Sequence, residues 1–244
     1  MSREQQLARA FVGLSDTLST AFDPLTLFQR LVGDCVALLD ADAAAVMMAN
    51  AHGTLRTMAA SSEEAAFLEL LQLQSGEGPC MDCYRSGASS GTADISLEEA
   101  RWPGFVPPAL EIGYRSVHTV PLRLHDRVLG ALNIFRRETG DLSGDDEQVA
   151  QAMADVAALA LMHWSAEPAE ETEIVIKVQS ALAAKAVLET AKGMVAQYAG
   201  VSIAEATRML RAYAERHQVG LAATAQDLTG RRLALAAVTR PTDG

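Results

Sequence analysis

Cysteine is scarce in this 244-residue chain: Cys35, Cys80 and Cys83 are all there is, an odd number that cannot make a disulfide framework of the secreted kind. Lysine is missing altogether from the first 176 residues; Lys177, Lys185 and Lys192 are the only three. Aromatics make up only 5% of the chain. The longest uncharged apolar run near the middle, Val156 to Ala166, is too short for a bilayer. Met1 to Ala10 carries Arg3, Glu4 and Arg9 in place of an apolar core, so no secretory leader is expected. A cytoplasmic protein without a membrane segment is the expectation. Phosphate-cradling glycine loops, metalloprotease motifs and a nucleophile–base arrangement are also missing, and no catalytic role is expected.

What is present is a core and an uneven charge. Apolar residues form 49% of the chain, enough to bury a core, and the net charge is −11. Residues 1–168 hold 11 arginines against 23 acidic groups, whereas residues 174–244 carry a net +4. Such asymmetry points to different partners for the two parts.

The periodicities divide the chain in the same way. Leu7, Phe11, Leu14 and Leu18 are spaced as on a helix over Arg3–Ser19. Asp23-Pro24 supplies an N-cap and a first-turn proline for a second helix with Leu27, Phe28, Leu31, Cys35 and Leu38 inward. Strands are predicted over Ala43–Asn50 and Thr54–Ala60, then a helix over Glu63–Leu73. Gly76-Glu-Gly-Pro79 turns into a short helix bearing Cys80 and Cys83. A loop with Trp102, Pro103, Gly104, Pro107 and Pro108 leads to a hairpin of Arg115–Leu124 and Val128–Arg137. Ser143 then caps a long helix. Tight turns between strands with helices around them imply an antiparallel sheet in an α+β sandwich.

Ser165 to Thr172, polar and broken by Pro168, reads as a linker, and no strand follows it. A helix is predicted over Glu173–Ala199, a second from Ser202, capped with Glu205, to near His217, and a third over Leu221–Thr229 between Gly220 and Gly230. These make a compact all-α three-helix unit.

Ser180-Ala-Leu-Ala-Ala-Lys185-Ala-Val-Leu-Glu189-Thr-Ala-Lys192-Gly193-Met194, then Gly200-Val-Ser-Ile-Ala-Glu205, then Met209-Leu-Arg211-Ala-Tyr213, resembles the ANTAR domain. Upstream, Gly76-Glu-Gly-Pro-Cys80, Arg101-Trp102-Pro103, Arg115-Ser-Val-His118 and Gly130-Ala-Leu-Asn133 look like the GAF domain of actinobacterial GAF–ANTAR regulators. The resemblance sets a GAF-like sensor at 1–166, a linker at 167–173, an ANTAR-like domain at 174–232 and a tail at 233–244. It implies binding of paired RNA hairpins in message leaders, transcription antitermination, and a homodimer with one hairpin per ANTAR domain. The GAF-like domain would answer an unidentified small molecule or an upstream signalling protein.

The residues supply chemistry for this. Lys177, Lys185 and Lys192 fall within an arc of about 80° on one helix face. Arg208 and Arg211 share a face of the second helix, and Tyr213 and His217, four apart, offer flat surfaces for unpaired bases. Gly193 costs about 1 kcal/mol inside a helix and so implies a close backbone approach, by the second helix before RNA. One departure stands out: Gln218-Val219-Gly220 and Gln226 occupy places where ANTAR sequences are commonly basic, which implies that fewer phosphates are neutralised. In the front domain Cys80, Cys83, Trp102 and His118 are candidate pocket residues. The Cys80-x-x-Cys83 pair has no second pair to complete a zinc site, but its place at a helix start could lower a thiol pKa. Two other readings stay open: a ligand-sensing dimer whose helical tail binds a protein, and a Cys80/Cys83 thiol redox sensor.

Overall fold

The computed structural model describes residues 2–15, 24–50, 52–163 and 171–239, with backbone alone for 162–163 and 171–182. Packing separates the chain into two compact units, one built on the sheet and one on the helices from Gln179 onward.

The first unit opens with α1 (Arg3–Ser15) and α2 (Pro24–Leu38), followed by strands β1 (Ala43–Ala49) and β2 (Leu55–Ala60). Residues 16–19 of the expected first helix, and the Asp23 cap, lie outside the described residues. Helix α3 (Glu63–Ser75) begins where the Ser62 hydroxyl accepts from the Ala65 amide and ends at Gly76, whose φ of 71° only glycine adopts without strain. Helix α4 (Pro79–Ser86) carries the two cysteines. The short β3 (Ser90–Thr92) and a 3-10 turn at Ile95–Leu97 lead to α5 (Val106–Ile112). The hairpin β4 (Ser116–Leu124) and β5 (Arg127–Arg136) then feeds α6 (Gly144–His163), started by Ser143, whose hydroxyl accepts from the Asp146 amide at 3.1 Å.

The loop expected around Pro107 and Pro108 is in fact the first turn of α5. Prolines are tolerated there because first-turn amides have no acceptor in the helix.

All five strands are antiparallel in the order β2-β1-β5-β4-β3. The interior strand β1 reads Ala-Ala-Ala-Val-Met-Met-Ala and is buried on both faces, which is why it shows no polar alternation. Strand parity assigns the faces. Ala43, Ala45, Val117 and Phe135 point toward α3 and α5, where they meet Leu68, Trp102, Phe105 and Tyr114; Met47 and Ala131 point toward Cys80 and Cys83 of α4. The alternate residues face the other side, where α6 lies on β4 and α1 on α6. Gly130 has no room for a side chain, since a Cβ there would sit 2.0 Å from the Met47 carbonyl oxygen.

The second unit comprises α7 (Glu171–Ala199) from Gln179 onward, α8 (Ile203–His217), α9 (Leu221–Thr229) and α10 (Leu235–Thr239). Its buried positions recur at helical spacing: Leu188, Ala191 and Val195 on α7, Ala206, Leu210 and Ala214 on α8, Leu221, Ala225 and Leu228 on α9. The segment after residue 232 is more than a tail: α10 packs on α8, and Val238 is buried. On α7 the buried stripe excludes Tyr198, which is 56% exposed, and the side chains of Ile174, Val178 and Ala181 lie outside the described residues.

Candidate RNA interface and sensor core

The candidate RNA residues sit on α7 and α8, each started or ended by a local device. The Ser202 hydroxyl accepts from the Glu205 amide at 3.1 Å and opens α8, while Gly200, at φ 67°, lets the chain leave α7. The Glu205 carboxylate pairs forward with Arg208, three residues along.

On α7, Lys185 and Lys192 are seven residues apart and so lie about 20° apart around the axis. The Lys177 side chain is outside the described residues. Lys192 is only 12% exposed, its stem covered and its ammonium donating to Glu189 Oε1 at 2.8 Å. Gly193 corrects the expectation of helix packing. It is exposed, and a Cβ there would meet nothing within 4 Å. It lies about 170° from the buried stripe of Leu188, Ala191 and Val195, so no neighbouring helix demands a glycine.

On α8, Arg208 and Arg211 lie about 60° apart, and Arg208 is well exposed at 73%. Tyr213 and His217 stack on one another, ring centroids 4.2 Å apart at 32°. Arg208 and Tyr213 are about 140° apart around α8, so this helix presents its cations and its aromatic pair on different sides. Sequence reasoning missed Arg231 and Arg232, exposed just after α9, with Arg231 in a left-handed turn at φ 57° and Arg232 donating to Asp227 at 2.7 Å. The dibasic pair beyond the Gly230 boundary was the available signal.

In the sheet unit the four candidate pocket residues do not converge. Cys80 and Cys83 are wholly buried beneath the sheet. The Cys80 thiol donates to Met47 Sδ at 3.1 Å. Burial, then the nearby Glu69 charge, pushes the Cys80 pKa well up, and burial pushes Cys83 up to about 12. A helix start was expected to lower a thiol pKa; desolvation outweighs it here. Neither thiol of the native protein is therefore expected to react with iodoacetamide at mild alkaline pH, and both should react once the chain is unfolded. Mass spectrometry of the adducts checks this, and rapid native labelling at Cys80 would contradict the burial.

Trp102 is a packing residue, 1% exposed, edge-on to Phe105 with centroids 6.0 Å apart. Its indole N–H donates to Asp82 on α4 at 3.0 Å. His118 has the opposite parity from Val117 and Thr119, so it points to the α6 side, away from the cysteines. There the Leu142 amide donates to its Nε2 at 3.1 Å, with the Gly140 carbonyl oxygen 3.3 Å away. Burial lowers its pKa, partly opposed by that carbonyl, which favours the neutral ring that can accept from Leu142.

The polar centre of this unit lies elsewhere. Asn133 on β5 donates to Glu69 Oε1 at 2.7 Å and accepts from the Thr119 hydroxyl at 2.7 Å. Gln72 donates to the same Glu69 oxygen at 3.4 Å and accepts from the Cys80 amide at 2.9 Å. All four side chains are buried. The sequence signal was Glu69 on the inward stripe of Ala65, Leu68 and Gln72, and Asn133 inside an apolar strand. Among the described residues no group of histidine, cysteine and carboxylate side chains could hold a metal, and no helix is long and apolar enough to cross a membrane.

The chain thus has two parts, a five-stranded antiparallel sheet between helices and a helical unit with exposed cations. The family follows from comparison with known proteins. The GAF domain model matches residues 23–162 and the ANTAR domain model residues 177–228, so the chain belongs to the GAF family and has the GAF–ANTAR architecture. That architecture makes it, in outline, a signal-responsive antitermination regulator with an RNA-binding domain. No curated protein matches the chain.

Similar solved structures agree on the first unit. The GAF domain of an Acinetobacter phosphoenolpyruvate-protein phosphotransferase superposes with a TM-score of 0.52 at 17% identity, covering 67% of this chain and 95% of that one. The corresponding domain from Coxiella burnetii gives 0.50 at 20% identity, covering 66% and 96%. The free methionine-R-sulfoxide reductase of Neisseria meningitidis, solved with its substrate, gives 0.52 at 12% identity, covering 66% and 89%. At these identities the likeness is one of fold.

Proposed function

We propose that the chain acts by binding paired RNA hairpins in message leaders through α7 and α8, as a homodimer with one hairpin per ANTAR domain, and has no catalytic step of its own. The signal would be a small molecule or an upstream signalling protein taken by the GAF domain, in the cytoplasm. Lys185, Lys192, Arg208 and Arg211 supply cations for phosphates, and Tyr213 and His217 supply stacking surface for loop bases. Burial and raised pKa values make these thiols poor nucleophiles, which weighs against the Cys80/Cys83 redox reading.

One observation carries the reading: Gly193, beside Lys192 on the matched ANTAR segment, is exposed opposite the packed stripe with open space over its Cα. A mid-helix glycine that no protein neighbour requires is unfavourable by about 1 kcal/mol relative to alanine. A phosphate backbone lying against α7 at this point gives it a use.

Gly193→Ala separates stability from binding. It is expected to stabilise the second unit by about 1 kcal/mol, read as a raised melting temperature. In a gel shift of the full chain with a tandem-hairpin RNA it should weaken binding roughly tenfold, about 1.4 kcal/mol. Higher stability with unchanged RNA affinity would place the RNA away from Gly193.

A further inference from the structure

Helix α3 has two apolar faces. Ala65 and Leu68 pack into the sheet core, while Phe67 and Leu70, on the opposite side, are each 48% exposed. Large apolar side chains exposed together on a helix face opposite its packed side mark a surface suited to a partner. Next to Phe67, the start of α3 and the body of α5 enclose an open cleft of about 480 Å³ lined by Glu63, Glu64, Phe67, Pro108, Glu111 and Ile112. Three of these six residues are carboxylates. Arg137 reaches one lining residue, donating to the Ile112 carbonyl oxygen at 3.0 Å, and its guanidinium lies 5.1 Å from the centre of the Tyr114 ring. The Glu64 backbone amide and the Ser62 hydroxyl lower the pKa of the Glu64 carboxyl, with a smaller contribution from the Arg137 charge.

We propose that this cleft is a docking site for a cationic amphipathic segment of a partner protein. Aliphatic side chains of the segment would cover Phe67 and Ile112, and its arginines or lysines would pair with Glu63, Glu64 and Glu111. Charge selects this occupant. Nucleic acid and anionic lipid surfaces are repelled by the three carboxylates. A second copy meeting the same face across a two-fold axis would set carboxylate against carboxylate. The open shape suits side chains of a bound segment better than a small molecule, which needs most of its surface enclosed. The site is independent of the RNA-binding reading, so either can fail alone.

Fluorescence anisotropy of the full chain with a labelled helical peptide of leucine and arginine tests it, with a leucine–glutamate peptide as control. The arginine peptide should bind and the glutamate peptide should not. Glu63→Gln, Glu64→Gln and Glu111→Gln together should weaken binding about tenfold or more, and Phe67→Ser alone by about threefold or more. Neutralising Glu4, Glu99 and Glu138, exposed carboxylates elsewhere on the same unit, should change it less than about twofold. Glu111→Gln alone, outside the first turn of α3, guards against misfolding of the triple variant and should still weaken binding measurably. Equal losses from the two triples would reduce the effect to general charge attraction and overturn the site. So would no binding in dilute buffer, or self-association of the chain that Glu111→Lys abolishes, which would give the cleft to a second copy.

Discussion

Replacing both Lys185 and Lys192 by glutamate is expected to lower affinity for a tandem-hairpin RNA by roughly 100-fold, about 2.8 kcal/mol, while leaving the helical content intact. The two side chains share a face of α7, and each reversal removes a cation and adds a repulsive charge. Lys192 has a second consequence to separate. Its ammonium donates to Glu189, so Lys192→Glu also sets two carboxylates three residues apart. That repulsion acts within α7 and is read as a change in helix stability, separately from RNA affinity. Lys192→Gln, which breaks the pair without reversal, should lose less affinity and serves as the control. The slope of log affinity against log salt should become shallower by about 0.7 for each loop phosphate that is no longer neutralised, the value for single strands. An unchanged slope would mean that neither lysine touches phosphate.

The largest effect on stability is expected at Trp102. Trp102→Ala should destabilise the sensor unit by about 3–5 kcal/mol and lower its melting temperature by about 10 °C. The indole is one of the largest fully buried side chains, so its removal leaves a cavity beside Phe105 that rigid neighbours fill only in part. Its bond to Asp82 matters less, because that carboxylate is partly solvated and keeps Arg101, whose Nη2 lies 2.9 Å away. Arg101 also sits 4.5 Å over the indole ring, and in the alanine variant its guanidinium would have no ring beneath it. Trp102→Phe, which keeps most of the volume, should cost only about 1–2 kcal/mol. Thermal unfolding followed by circular dichroism gives both values. If alanine and phenylalanine cost the same, packing is not what Trp102 contributes.

Much of the fold was legible because its signals are local. Ser62, Ser143 and Ser202 each accept from a backbone amide three residues on, and glycines at 76 and 200 close the helices before them. Leu221–Thr229 was bounded correctly by its two flanking glycines. The β4–β5 hairpin followed from two strand-like runs and the short turn His125-Asp126-Arg127 between them, although Arg127 already belongs to β5. What escaped were elements whose local signal is ambiguous. Two prolines hid α5, although the first helical turn accepts them. The three residues of β3 are too few for a pattern, and α10 is held by its packing on α8 and the burial of Val238.

The site was less legible, for tertiary reasons. Spacing put Lys185 and Lys192 on one face correctly, but it could not show Glu189 claiming the Lys192 ammonium, nor the space over Gly193. Residue type suggested a pocket from Cys80, Cys83, Trp102 and His118. Strand parity sends His118 to the opposite side of the sheet, and the inward carboxylate of that core is Glu69, hydrogen-bonded to Asn133.

Ultraviolet crosslinking of the full chain to a tandem-hairpin RNA, with the crosslinked peptides mapped by mass spectrometry, tests the central claim most directly. Crosslinks should fall on α7 between Lys185 and Met194 and on α8 between Arg208 and His217. Crosslinks confined to the sheet unit, or none at low salt from a folded protein, would contradict it.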